Sequence, residues 1–355
     1  MKRCTASDIA AAARVSIMTV SNVVNGRFNM MSAETRKRVE EFITKLNYRP
    51  YASGRSLRLD ERLTIGILIV DESPTYLADP FTTNLVAGLS NFLSKRGYGL
   101  LVQGTRPQAM RDAIFLRRFD TDGLCVLLSG EPEDCRAHIA QLSTLGQPLV
   151  VLESKAPRQP VGDICFIRQD NYGGARALTR HLVNLGARRL AYLVPKPSWP
   201  AIAERRRGVD SVLRKTSGAS LDLLPCGETF QDVRATLGAY LAYNPLPDAV
   251  LGGNDQMGIA AMRLLADQGH RVPEDVMVVG FNAFEFRLFT DPALTSVASS
   301  AYDIGARAGD AMLHRLTNGR FTKSEVLLPT AFVPGGSTTG APTKHEPRKR
   351  RASRS

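Results

Sequence analysis

The side chains of this sequence whose types and spacing suit molecular recognition are Ile17, Met18, Ser21 and Asn22. If the residues after Ser16 are helical, these four share one face, because positions four apart stack on a helix surface. Small apolar groups of this kind fit against thymine methyls, and an asparagine amide can bond a base edge. The chemistry on offer is therefore reading the major groove of DNA.

The surrounding residues supply the frame. Thr5 is an N-cap with Asp8 three residues on, and Ile9, Ala10 and Ala13 share one helical face. Arg14-Val15 interrupts this helix, Ser16 caps a second, and Val20, Val23 and Val24 recur at the spacing that buries one side of it. Ser32 caps a third helix. Its apolar stripe of Val39, Phe42, Ile43 and Leu46 lies opposite Arg36, Lys37, Arg38 and Lys45. Three such helices can share one small core. A helical module whose basic face is merely solvated would have the same pattern.

The wording is more specific than the pattern. VSIMTVSNVVN, SAETRKRVEEFITKLNYRP and GRSLR together resemble the start of a LacI-family transcriptional regulator. Six later motifs extend the resemblance over nearly the whole chain in matching order: DPFTTNLVAGL, QDNYGGARAL, ERRRG, GGNDQMGIAAM, PEDVMVVGF and DPALTSV. The fold it implies is an N-terminal all-α helix-turn-helix headpiece over 1–49, a hinge helix over 50–60, and an α/β two-lobed effector domain over 61–340 that is similar to periplasmic binding proteins. Residues 341–355, APTKHEPRKRRASRS, are then a disordered basic tail.

By the same resemblance, Thr5, Ser7, Ser16, Ile17, Met18, Thr19, Ser21, Asn22, Asn25, Arg55 and Leu57 form the DNA-contacting set. Leu57 would wedge into the minor groove at a central base step. Gly54 weakens the hinge helix, since an interior glycine costs about 1 kcal/mol against alanine, and a flexible linker is the alternative. The effector set implied is Phe81, Arg205 (three residues before Gly208), Phe230, Asn254, Asp255 and Asn282, with Trp199 in a loop beside the cleft. The partners implied are a near-palindromic double-stranded operator, a small sugar or sugar-acid effector, and a second copy of the chain.

Charge and composition agree with a nucleic-acid partner. Residues 1–60 hold 11 Lys/Arg against 5 Asp/Glu, and residues 341–355 hold 6 against 1, so the net +12 of the 355-residue chain sits at its two ends. A cationic headpiece on a nearly neutral body suits phosphate neutralisation. No run of about 18 apolar residues exists to span a bilayer. The start, MKRCTASDIA, lacks the apolar stretch of a secretory signal, which places the protein in the cytoplasm. Five cysteines without CxxC spacing and five scattered histidines give no disulfide framework and no metal site. No cofactor is expected either, because TIGILIVDES has no GxGxxG after the first strand. Without a Ser/His/Asp, Cys/His or Walker arrangement, the chain does not read as an enzyme.

From Leu63 the pattern alternates strand and helix, which makes a parallel sheet covered on both faces. TIGILIV, YGLLVQ, DGLCVLL and PLVVLE are strands, separated by helices over 85–95, 111–119 and 135–145. A second series runs from DICFI through helices over 174–185, 204–215, 233–243 and 259–268, with strands RRLAYLV, DAVLGG and DVMVVGF between them. Residues 301–316 are helical and 325–333 are strand-like. Two βα series make two lobes, with a ligand between them beyond the carboxyl ends of the strands.

Arg205, Asn254 and an aromatic platform suit a polyhydroxylated ligand. Asn282 stands where the family pattern has Asp, and Arg205, Arg206 and Arg207 crowd one side. Together these tilt the reading slightly towards an anionic sugar acid. Two alternatives remain: a regulator answering to a non-sugar metabolite, and a cytoplasmic ligand sensor without specific DNA binding.

Overall fold

The computed structural model describes residues 4–24, 26–48, 62–117, 120–158, 162–196 and 198–338. The chain divides into two compact units, Met1–Arg62 and Leu63–Ser355.

In the first unit, α1 (Ala6–Ala13), α2 (Ile17–Val24) and α3 (Ala33–Lys45) surround a core of Ile9, Ala10, Ala13, Val20, Val23 and Val39. Each helix start has a side-chain reason. Asp8 accepts from the Thr5 backbone at 2.8 Å and the Thr5 hydroxyl at 2.7 Å, closing a capping box. Ser16 Oγ accepts from Thr19 N at 3.1 Å, and Ser32 Oγ from Thr35 N at 3.2 Å. Arg14 ends α1 in the left-handed region at φ 52°, and Arg38 Nε donates to the Ala13 carbonyl at 3.0 Å. One arginine of the expected basic face is therefore a clasp between α1 and α3.

The second unit has two lobes. Its first sheet contains β1 (Thr64–Val70), β2 (Gly99–Thr105), β3 (Gly123–Leu128), β4 (Leu149–Leu152), β5 (Ile164–Gln169) and β11 (Glu325–Leu328), in the all-parallel order β11-β5-β4-β3-β1-β2. Covering it are α4 (Pro80–Ser94), α5 (Ile114–Arg117), α6 (Pro132–Ser143) and α11 (Ala301–Asn318). The second sheet, order β7-β6-β8-β9, contains β6 (Arg189–Pro195), β7 (Ser220–Cys226), β8 (Ala249–Gly252) and β9 (Met277–Val279). Its helices are α7 (Asn171–Asn184), α8 (Pro200–Leu213), α9 (Phe230–Tyr243) and α10 (Asp255–Asp267). Between the lobes, β10 (Ser296–Ala298) pairs antiparallel with β12 (Ala331–Val333).

Four details differ from the sequence reading. DICFI pairs with β4 as β5, so it closes the first series and does not open the second. The helix expected over 111–119 shrinks to α5 after a 3-10 turn, because Ala113 adopts ψ 136° and breaks the run. SLDLLPC forms β7, which the pattern concealed: it is an edge strand, half exposed, and tolerates Pro225 there. The 325–333 segment is two strands in different sheets, β11 and β12.

The chain crosses between lobes three times, after β5, after β10 and after β11. Side chains lace these crossings together. Gln169 Oε1 accepts from Ser299 Oγ at 3.1 Å and Ser300 N at 3.0 Å, and Ser300 Oγ donates to the Pro329 carbonyl at 2.6 Å. Thr330 Oγ1 donates to the Asp170 carbonyl at 3.1 Å.

Helices α4 and α11 pack backbone to backbone on the first lobe. A Cβ at Gly88 would lie 2.0 Å from the Tyr302 carbonyl oxygen, and one at Gly305 would lie 2.0 Å from that of Leu85. Neither neighbour is a flexible side-chain end, so the helices themselves would have to part. Gly305→Ala is expected to destabilise this unit by roughly 1–3 kcal/mol despite its better helix propensity. Urea unfolding followed by circular dichroism checks this through a lower midpoint at unchanged slope.

Candidate functional site

The exposed apolar face of the first unit is the outer side of α2. Ile17 is 54% exposed and Met18 58%, while Val20 and Val23 of the same helix are buried, so the first two face solvent and take no part in the core. Ser21 and Asn22 follow one turn on, half-buried. Ser7 is exposed on the first turn of α1, whereas Thr5, Ser16 and Thr19 are engaged at helix starts. Arg36 lies 3.6 Å over the Phe28 ring and bonds Glu40 at 2.7 Å. Asn25, Arg55 and Leu57, with the hinge over 50–60 and the tail over 341–355, lie outside the described residues.

In the second unit a cavity of about 570 Å³ opens between the lobes. It lies beyond the carboxyl ends of the strands at both switch points, where Asp71 follows β1 and Gly253-Asn254 follow β8. Arg205 is at its floor, 5% exposed. Its Nε donates to Asn171 Oδ1 at 2.9 Å, Nη1 to the Gly253 carbonyl at 2.6 Å and Nη2 to Asn282 Oδ1 at 3.5 Å. Its guanidinium lies 3.7 Å over the Phe281 ring. Asn171 in turn donates from Nδ2 to Glu153 Oε2 at 2.8 Å, and Glu153 Oε1 accepts from Gln169 N at 2.8 Å. A relay Glu153–Asn171–Arg205–Asn282 thus joins the lobes through the cavity floor. Both of its ends are backbone outliers, Glu153 at φ 55° and Asn282 at φ 117°, and such strain persists only where surrounding bonds enforce it.

Sequence comparison places these two features together. Residues 5–51 match the family model described as bacterial regulatory proteins, lacI family, and residues 179–338 match a periplasmic binding protein-like domain. The ribose operon repressor of Escherichia coli K12 is 30% identical over 342 residues, covering 94% of this chain and 99% of that protein. The chain belongs to the LacI family of transcriptional regulators. The regulator CelR of Thermobifida fusca is 29% identical over 337 residues, covering 94% of this chain and 97% of its own. Among solved structures, the lac repressor dimer bound to operator and the anti-inducer ONPF aligns with a TM-score of 0.81 at 26% identity, over 95% of this chain and 99% of that one. A CelR–cellobiose complex aligns with a TM-score of 0.69 at 27% identity, over 95% and 100%. As a member of this family the protein is a regulator, not an enzyme.

Of the effector residues expected in this LacI-family chain, Phe81, Arg205, Asn254 and Asn282 line the cavity together, with Trp199. Two do not. Phe230 starts α9 and lines a separate concavity with Ile259, Met262 and Pro292, because the turn after Thr229 points it away from the cleft. Asp255 is buried at 1% exposure, and its carboxylate accepts from Ser296 Oγ at 2.5 Å and Phe284 N at 2.9 Å, so it braces the loop after β9. Asn254 has a structural share as well: Oδ1 caps α10 through Met257 N at 2.9 Å, and Nδ2 donates to Glu228.

The sequence reading missed Glu153, Asn171, Glu228 and Asp71. Asn171 was inside a recognised motif and Glu153 ends the PLVVLE strand, a position that parallel sheets reserve for ligands. Glu228 had no signal, since the strand preceding it was not seen.

The lining is acidic. Asp71, Glu72, Asp79, Glu153 and Glu228 face it against Arg205 and Lys196. The cationic crowd expected at ERRRG does not form there, because Arg206 and Arg207 are on the outside of α8, paired with Asp210 and Glu204. Burial pushes the carboxyls of Glu153 and Asp71 upward. It pushes Glu228 to about 7, with Asp79 across the cleft adding repulsion. The folded state therefore holds a proton on Glu228 that an unfolded chain releases near 4.5. The stability this gives is present at low pH and is lost as pH rises from about 4.5 through about 7. Glu228→Gln should flatten that slope and raise the melting temperature at pH 8 relative to the parent protein, as thermal melts at pH 5 and pH 8 would show.

Proposed function

We propose that the protein is a repressor that holds a near-palindromic operator as a homodimer in the cytoplasm, and that a small polyhydroxylated effector, closest in type to a neutral sugar, changes its operator affinity. The reading divides the chain into a headpiece over 1–49, a hinge over 50–60, an effector and dimerisation domain over 61–340, and a basic tail over 341–355. Among the described residues, no helix is long and apolar enough to cross a membrane.

The observation that carries the effector class is the cleft lining. Trp199, Phe81 and Tyr76 line the same cavity as Arg205 and Glu153, with Asp71, Glu72, Asp79 and Glu228. Ring faces cover the apolar side of a sugar, while carboxylates and amides take its hydroxyls. The long Asn282 contact leaves one Arg205 donor available to a ligand oxygen. The family relatives that regulate ribose use, and the CelR structure holding cellobiose, support a sugar. Five carboxylates against two cations disfavour an aldonate.

Ligand binding shifts operator affinity only through its different affinities for the two lobe arrangements. The laced crossings make lobe closure the natural two-state element, and Arg205 with Glu153 would report occupancy to both lobes.

Two experiments test this reading. Trp199 is the chain's single tryptophan and lines the cleft, so its emission should change saturably with an effector sugar. Arg205→Ala should abolish that change while leaving operator binding in gel shifts intact. Emission unaffected by every neutral sugar but altered by an aldonate would overturn the neutral class. On the DNA side, replacing Ile17, Met18 and Asn22 together should change operator preference by roughly 1–3 kcal/mol per base read and leave nonspecific affinity nearly intact. Equal loss on every sequence would assign those residues to the fold alone.

A further inference from the structure

A further concavity, of about 770 Å³, lies between α7 and α8 and shares no lining residue with the cleft. One wall is a single stripe of α7, Tyr172, Arg176, Arg180 and Asn184, spaced four residues apart and so about 6 Å per step. The facing wall carries Arg214 and Lys215 at the end of α8, with Ser211 and Thr216 beside them. Among the described residues, no carboxylate lines the groove.

This arrangement is unlike the rest of α8. Arg206 and Arg207 of that helix each have a carboxylate partner three or four residues away. Among the described residues, Arg176, Arg180, Arg214 and Lys215 have no ion-pair partner. Two arginines one turn apart on α7 repel each other, and two more cations across a groove add to that cost. An anion placed between the walls would relieve it. Three planar guanidinium groups and an ammonium match the oxygens of a phosphate group, and the Asn184 amide lines the same groove. The Ser211 and Thr216 hydroxyls donate to the Gly208 and Val212 carbonyls at 2.7 and 3.0 Å, which leaves them as acceptors for a polar remainder.

We propose that this groove is a binding site for a small phosphorylated metabolite, separate from the cleft. Its size falls within the range of small-molecule pockets. The groove is bounded by the lengths of two short helices, which suits a compact dianion. The same two helices carry the cleft relay on other residues, Asn171 at the start of α7 and Arg205 within α8. They touch closely: a Cβ at Gly208 would lie 2.4 Å from the Tyr172 carbonyl oxygen. An anion that draws α7 and α8 together therefore acts on the residues that hold Arg205, and any such coupling is reciprocal.

The test is titration calorimetry of pyrophosphate into the full-length chain. We expect one saturable site, weakened about tenfold or more in R176A/R180A and likewise in R214A/K215A, while K37A in the headpiece leaves it unchanged. All five replaced residues are exposed, and circular dichroism confirms the fold of each variant. Nonspecific binding to random-sequence duplex DNA is measured on the same proteins. Equal pyrophosphate affinity in parent and groove variants would overturn the proposal. So would a loss of duplex affinity in the groove variants matching that for pyrophosphate, which would make the groove a nucleic-acid surface. Neither outcome bears on what occupies the cleft.

Discussion

A guanidinium withdrawn from water is the constraint around which the effector unit is arranged. Arg205 cannot shed its charge, and burying that charge is costly unless it is hydrogen-bonded. Among the described residues, no carboxylate bonds it directly. Its partners are an amide oxygen from Asn171, a backbone carbonyl at Gly253 and the amide of Asn282. Those partners come from α7, the end of β8 and the end of β9, so satisfying one side chain fixes three segments of the second lobe. Glu153, bonded through Asn171, then brings the first lobe into the same network.

The two recognition surfaces use opposite strategies. The face of α2 exposes large apolar side chains to solvent and relies on three capped helices with a six-residue core to hold them still. The cleft hides its polar groups and relies on strained backbone at Glu153 and Asn282 to aim them. The first suits a partner with a fixed groove. The second suits a small ligand that must displace water and be enclosed.

Much of this was legible in the sequence, and where it was not the reasons are specific. Caps at Thr5, Ser16 and Ser32 and the apolar spacing of Val20, Val23 and Val39 are local signals, and each element they predict is present. The central strands were readable because strands buried on both faces become unbroken apolar runs, as in TIGILIV. β7 was hidden because an edge strand shows alternation broken by Asp222 and Pro225. Assignment of β5 to a lobe depends on pairing, which spacing along the chain does not encode. Arg205 and Asn282, placed by motif, line the cleft. Phe230 lies away from it because an aromatic residue at a helix start can face either side of its sheet, and Asp255 is turned to the loop it braces, which a carboxylate beside a cap does not reveal in sequence.

The laced crossings also bear on how the protein is made. The core of the first lobe includes Ile304, Ala308 and Met312 from α11, and its sheet is completed by β11, which ends at Leu328. Every residue of the second sheet is translated before these arrive. On the ribosome the earlier half of the body must wait, with an apolar flank and an open strand edge, until the later half has emerged. Synthesis from first residue to last therefore supplies the strands of the second sheet before the first sheet is complete, while Phe332 and Ser337 reach the second lobe last of all, and a nascent chain stalled near residue 300 is a natural client for a chaperone.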